Sequence, residues 1–297
     1  MFQDNHIILK KDRKNTWLRV LVIGFALFFA GIIILILTGN RNLFPTVVML
    51  GNFLIPVTFV VFFYERRHWS QLSLPTTALS FFYGGVLGVL AASILEPIFI
   101  RQLNLFNMFT VGLIEEFAKI LGVLVIARHW RHNSEMDGLI LGAAAGMGFA
   151  ALESIGYVFN AFLLSGGSLT ITVFVTLIRG VLSLVGHGTW TAILASILFR
   201  ESGNKHFHLN WKVLGAYFTV VVLHGLWDGV PGLLAAFFSP GLDVFIGQFF
   251  IGVLGLFILR RRWREARRLQ SEQQQLFYKA LRSRELPFPL FHLEGRS

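Results

Sequence analysis

Apolar runs long enough to cross a bilayer alternate with short polar connections along the whole chain. Eight can be marked, at about 17–38, 43–64, 77–100, 107–127, 137–164, 169–199, 211–232 and 242–259. Each is close to the roughly 20 residues a helix needs to span a hydrocarbon core about 30 Å thick. A closed barrel is the other spanning solution, and these runs lack its period-two alternation. The pattern therefore predicts an all-α, polytopic membrane bundle of about eight transmembrane helices. In the fifth run Gly138, Gly142, Gly146, Ala150 and Ser154 recur every four residues, a stripe that lets a neighbouring backbone come close and puts this helix at the centre. Ser165-Gly166-Gly167-Ser168 reads as a tight turn, and Pro231-Gly232 and Pro240-Gly241 are expected to break the chain around the ends of runs seven and eight.

Composition supports this class. With 55% hydrophobic and only 14% charged residues, the chain has too little charge to cover a soluble surface of its length. The net charge of +10 could point to nucleic acid, but its placement argues against that. Of the 26 lysines and arginines, 22 lie in the N-terminal tail and its junction with the first run (Arg19), in the connections 65–76, 128–136 and 200–212, and in the C-terminal tail. Arg41 and Arg101 alone occupy the alternate connections. This asymmetry predicts both termini in the cytoplasm of a multi-pass membrane protein. The first run follows a basic stretch and is read as an uncleaved signal anchor. Cysteine is absent, which excludes disulfides, thiolate metal sites and a cysteine nucleophile.

The organisation expected is a single transmembrane domain over 1–260, with a catalytic core at about 107–232, and a basic cytoplasmic tail over 261–297. Arg260, Arg261, Arg262, Arg264, Arg267 and Arg268 lead into a Glu- and Gln-rich stretch carrying Trp263, Leu269 and Leu276. This reads as a helix at the anionic inner membrane surface.

The chemistry is carried by polar residues inside apolar runs. Glu115, Glu116, Glu153 and Asp228 each interrupt one, as do Lys119, His187 and His224. A charge at the bilayer centre costs roughly 2.5–3.5 kcal/mol even on lenient scales, so several together argue for a buried polar site. Lys119 stands four residues after Glu115 and three after Glu116, and can pair with either. The two carboxylates point in different directions, which predicts that Lys119 holds one while the other stays free to act as a base. Glu153 alone would be an interhelical partner, for instance of Arg179. His224 and Asp228, four apart, share a helix face, so the carboxylate can orient the imidazole. At a rise of 1.5 Å per residue, Glu115, Glu153, His224 and Asp228 lie about 12, 16, 12 and 6 Å below one boundary, a common level. His187 comes out about 27 Å down if run six begins at Leu169, which leaves its membership open.

Glu115-Glu116-x-x-Lys119, Phe149-Ala-x-x-Glu153, His187-Gly-x-Trp190-Thr191-Ala192 and His224-Gly-Leu-Trp-Asp228 together resemble the PrsW family of intramembrane proteases. The resemblance covers about residues 112–230. More distantly the pattern is similar to the CAAX-prenyl-protease and bacteriocin-processing superfamily, with Lys119 one position early for an Arg and Glu153 in place of a His. Ser154 departs from the Asn that PrsW proteins more usually carry there. The resemblance implies an endopeptidase that cuts a membrane-anchored protein, such as an anti-sigma factor, near the outer face of the membrane.

Two mechanisms fit these residues. Glu115 or Glu116 could activate a water, with Lys119 holding the other carboxylate and His224 and Asp228 serving the oxyanion or the leaving amine. Alternatively Glu153, His187 and His224, with Glu116 or Glu115, could hold a divalent metal such as Zn²⁺. The alternative function is a proton-coupled transporter built on the same Glu, His and Asp residues, although no inverted repeat is visible. A non-catalytic chaperone or immunity role is the third reading.

Overall fold

The computed structural model describes residues 15–67, 70, 72–102, 104–128, 134–202, 207–239 and 241–283. Among these the chain is helical throughout its regular structure. A helix α1 (Thr16–Thr38) is followed by a 3-10 turn at Arg41–Leu43, then α2 (Phe44–Glu65), α3 (Leu74–Phe99), α4 (Leu105–Ala127) and α5 (Glu135–Leu164). The chain continues through α6 (Leu169–Ser183), α7 (His187–Ser202), α8 (Trp211–Leu234) and α9 (Leu242–Ser283). The starts of these helices are chemically marked. Ser73 and Asn104 accept the backbone N–H three residues on, and Asn210 accepts those of Lys212 and Val213. Ser134 and Asp137 form a reciprocal capping box at the head of α5.

Seven segments of the described chain are long and apolar enough to cross a membrane, with α6 and α7 counted as one. The eighth rod, α4, has 23 residues but carries Glu115, Glu116 and Lys119 at its middle. All three are buried, so its charges face protein and its exposed side chains, such as Leu113, Phe117 and Leu121, are apolar. The chain is a polytopic helical membrane protein.

Helix α5 is the axis of the bundle, with 83% of its apolar window buried against 17% for the peripheral α1. The small-residue stripe explains how. A Cβ at Gly138, Gly142 or Gly146 would collide with the backbone carbonyls of Ala195, Thr191 and His187, so α7 lies directly on this face. On another face Gly148 meets the Phe81 carbonyl of α3, and the Ser80 hydroxyl donates to the Leu141 carbonyl at 2.9 Å. Only residues without bulk permit backbones on two sides of one helix.

Three expectations are corrected. Run six is two helices, because the chain closes into tight turns at 184–186, where Leu184, Val185 and Gly186 donate to the carbonyls three residues back. Helix α7 then starts at His187, with the Thr189 hydroxyl bonded to the Leu184 carbonyl at 2.9 Å. Pro231-Gly232 lies inside α8 and the helix ends at Leu234, since the Pro231 carbonyl still accepts from Ala235 at 3.0 Å. Finally, α9 runs unbroken past residue 260 to Ser283, where a separate tail segment was expected. No Gly or Pro interrupts it after Gly255, and at 42 residues it is about 63 Å long. The tail at 284–297, the N-terminal tail at 1–14, Pro240 and most of the basic connection 128–136 lie outside the described residues.

Candidate active site

Four helices deliver the polar residues to one place. Gly112 on α4 brings that helix close to Val221 and His224 of α8, and Gly146 seats His187 of α7 on α5. Between them the Lys119 ammonium is fully buried and uses all three of its N–H groups. It lies 2.7 Å from Glu116 Oε1, 3.1 Å from Glu115 Oε2 and 2.9 Å from His187 Nδ1, and also sits over the Phe149 ring at 4.0 Å. The expectation that Lys119 would choose one carboxylate is thus corrected. Its long stem places one ammonium between both, because three and four residues on a helix bracket the same face.

The two carboxylates nonetheless differ. Glu116 is saturated: its Oε1 faces Lys119 and His224 Nδ1, the latter at 3.1 Å, and its Oε2 accepts from the Thr191 hydroxyl at 3.0 Å. Glu115 Oε2 instead looks onto the two imidazoles, 3.5 Å from His224 Nε2 and 3.8 Å from His187 Nδ1. The far side of each ring is held by another carboxylate. His187 Nε2 is 3.2 Å from Glu153, and His224 Nδ1 is on Glu116. Asp228 Oδ2 adds a contact to His224 Nε2 at 3.3 Å. Trp190 tilts over the His224 ring with centroids 4.7 Å apart and meets His187 edge-on, which fixes both planes.

His187 is therefore inside the cluster. The depth arithmetic left it out because it assumed one straight helix from Leu169, whereas the break at 184–186 restarts the chain at this level. Glu153 has the partner expected of it, Arg179 Nη2 at 2.7 Å, and the same guanidinium bonds Ser154 Oγ at 2.9 Å. Reasoning from sequence missed Glu96 of α3. Its carboxyl is within hydrogen-bonding reach of Glu115, with Glu153, His224 and Asp228 as further charged neighbours. Glu96 was findable as an acid inside an apolar run, the same signal that marked the others. Also missed was Gln248 of α9. It lines a cavity of about 30 Å³ together with His187, Arg179, Ser154 and Ser183, and its Oε1 is buried without a partner. That space suits one or two waters beside His187.

Against known proteins, the description "PrsW family intramembrane metalloprotease" matches residues 73–265. That span contains every polar residue described above and most of the chain. The chain belongs to the PrsW family. The Protease PrsW of Halalkalibacterium halodurans is 26% identical over 177 residues, covering 57% of this chain and 76% of its own. No solved structure matches. The protein is accordingly a membrane protease, and the family is one of metalloproteases.

Whether these PrsW-family residues suit a metal can be asked of the donors themselves. One ligand atom each from Glu115, His187 and His224, all buried, lies within 4.8 Å of the others. Donors bound to one zinc at about 2.0–2.1 Å stand roughly 3.4 Å apart in a tetrahedron, close to the two Glu115–imidazole distances. Each ring also has its other nitrogen on a carboxylate, the arrangement that orients ligating histidines. The residues fit. Of the four candidate positions, the grouped donors include His187, His224 and Glu115, while Glu116 is bonded to Lys119, Thr191 and His224 and Glu153 lies 3.2 Å from the Nε2 of His187.

Proposed function

We propose that this PrsW-family protein is a zinc-dependent endopeptidase that hydrolyses a membrane-anchored protein, for example an anti-sigma factor, near the outer face of the bacterial cytoplasmic membrane. The observation that carries the reading is the buried Glu115, His187 and His224 triangle, with Glu153 and Glu116 behind its two imidazoles. The positive-inside distribution supports cytoplasmic termini, with the arginines of α9 against anionic lipid.

In this reading Glu115 Oε2, His187 Nδ1 and His224 Nε2 hold the cation. A cation held there would supply Lewis acidity toward a carbonyl oxygen and a water of lowered pKa. Lys119 touches two of the three donors and has Glu116 as its shortest partner, so it holds the carboxylate next to the site ionised and in place. Glu116 and Thr191 then keep His224 in the tautomer that turns Nε2 inward. Glu153, held by Arg179, does the same for His187. Asp228 is the more open carboxylate, 31% exposed against 5% for Glu115 and none for Glu116. At that edge it accepts a proton from the attacking water as the C–O bond forms. It returns the proton to the amine nitrogen as the C–N bond breaks.

The test is cleavage of single-span membrane proteins by the purified chain in detergent, beside Glu115→Gln and Asp228→Asn. Loss of the fragment in both folded variants is expected. Undiminished cleavage by either would remove the role assigned to it, and full activity after exhaustive chelation would replace the metal by a carboxylate-activated water.

A further inference from the structure

A protease inside a bilayer consumes one water per peptide bond, and hydrocarbon does not supply it. The oxygen of that water ends in the new carboxylate, and its two protons end on the released amine. Where α6 stops and α7 begins, the bundle leaves a cavity of about 30 Å³ beside His187, room for one or two waters. The hydrogen bonding of its polar lining is incomplete in complementary ways. Ser183 Oγ donates to the Gly180 carbonyl at 2.7 Å and keeps lone pairs with which to accept. Ser154 Oγ accepts from Arg179 Nε at 2.9 Å and has its own O–H to give. The Gln248 Oε1 is buried and makes no hydrogen bond. Together they offer a water two acceptors and one donor, within the two to four partners an internal water requires. Helix α9 is brought there by Gly252, one turn after Gln248 on the same face, where a Cβ would strike Val185 of the break. Arg179 lines the same cavity and its side chain is 26% exposed, so the guanidinium links that space with the exterior of the bundle.

We propose that this cavity holds the water of the reaction before attack, and that Gln248 is the residue that retains it there. Water enters past Arg179, is held by Gln248, Ser183 and Ser154, and passes His187 to reach the scissile bond. The inference rests on the protease activity of the chain and is independent of whether a metal or a carboxylate activates the water. It gives α9 a part in the site and accounts for an amide whose oxygen the bundle leaves unused. An amide that only packed α9 against its neighbours would be served as well by a leucine.

The test pairs rapid X-ray radiolysis of the full-length chain in detergent, in heavy-oxygen water, with steady-state cleavage of a single-span membrane protein. Radicals formed from bound water mark the side chains beside it, and mass spectrometry reads the label at Leu182 and Trp227 of the cavity wall. Trp227 is 7% exposed, so its label reports internal water, and Trp211, 85% exposed, is the reference. The variants are Gln248→Leu and Gln248→Asn, with thermal melts confirming that each is folded. The parent should take up label at both cavity residues. Gln248→Leu should lose most of it, keep the label at Trp211, and lower kcat by about tenfold at unchanged KM, the worth of one hydrogen bond. Gln248→Asn, which keeps the amide oxygen, should recover part of both. A parent unlabelled at Leu182 and Trp227 has a dry cavity, which would overturn the proposal. Label lost from Gln248→Leu with kcat unchanged would overturn it too, since that water serves structure alone. A raised KM at unchanged kcat would make the cavity a seat for a substrate side chain instead, and a lower kcat with the label intact would remove Gln248 from water retention. A labelled parent that cuts no membrane-anchored protein would overturn the protease assignment, and with it the role given to the water.

Discussion

Helix α5 carries a buried polar cluster at each end, and the two are built on opposite principles. Near its start Glu135 pairs with Arg262 of α9, whose guanidinium also meets Glu265, itself 2.8 Å from Arg200. Glu201 completes the set, 3.0 Å from Arg200 and 3.2 Å from Lys212. Among the described residues carboxylate answers cation one for one, and no imidazole takes part. Eighteen residues on, about 27 Å along the same helix, Glu153 joins a cluster in which acids outnumber fixed cations and two histidines stand between them. A balanced cluster can only hold helices together. An unbalanced one with imidazoles has capacity left over for a cation, a proton or a substrate, and this is the physical mark of a reactive site.

Substitution of one acid at each end tests the contrast most severely. Glu115→Gln or His224→Ala should cut proteolysis by on the order of 10³-fold in folded protein, since each removes a group proposed to touch the reacting centre. Glu135→Gln removes the buried carboxylate from Arg262, which keeps Glu265 as its partner, and should destabilise the bundle by about 1–3 kcal/mol. Its specific activity, once corrected for folded protein, should stay near that of the parent. Cleavage assays paired with thermal melts read both, and a folded but inactive Glu135→Gln would erase the distinction.

Metal removal comes next. Dialysis against a chelator should abolish cleavage and Zn²⁺ should restore it, while zinc at a hundredfold over its Kd should add about 2.7 kcal/mol of stability. A melt indifferent to zinc would mean that the unbalanced cluster does not take up the ion.

A smaller effect is expected from Gly146→Ala, which forces α7 away at the His187 carbonyl. A displacement near 1 Å in a positioned group lowers activity by about 10²-fold. Gly156→Ala on the same helix meets nothing within 4 Å and should be neutral or stabilise by up to about 1 kcal/mol. Equal responses would show that helix spacing does not set the site. The smallest change is expected of Glu272→Gln, because Glu272 and its partner Arg268 are 55% and 68% exposed and such a pair contributes about 0–1 kcal/mol by chemical denaturation.

The bundle and the family were legible because a lipid-facing helix must be apolar for some 20 residues, so every acid inside one stands out. Seven polar residues were found in that way, and the structure gathers all of them. What stayed hidden depended on where helices stop. Nothing local to Ser183-Leu184-Val185-Gly186 beyond one glycine announces the break that brings His187 to the cluster, and its energetics lie in the packing of α7 on α5. Glu96 escaped because it has no partner on its own helix, its neighbours being on α4, α5 and α8. The unbroken α9 could have been inferred from the lack of Gly and Pro between Gly255 and Pro287, but the run of arginines suggested a boundary instead.

The seating of α7 on α5 has one more consequence. At Gly142 and Gly146 two backbones touch with no side chain between them, so the interval from His187 to Glu153 is a property of peptide geometry. Rotamers elsewhere in the bundle can hop, and lipids can compress or thin around it, without stretching that interval. The protease therefore carries its own gauge block: a rigid datum in a soft solvent, against which the remaining groups of the site are set.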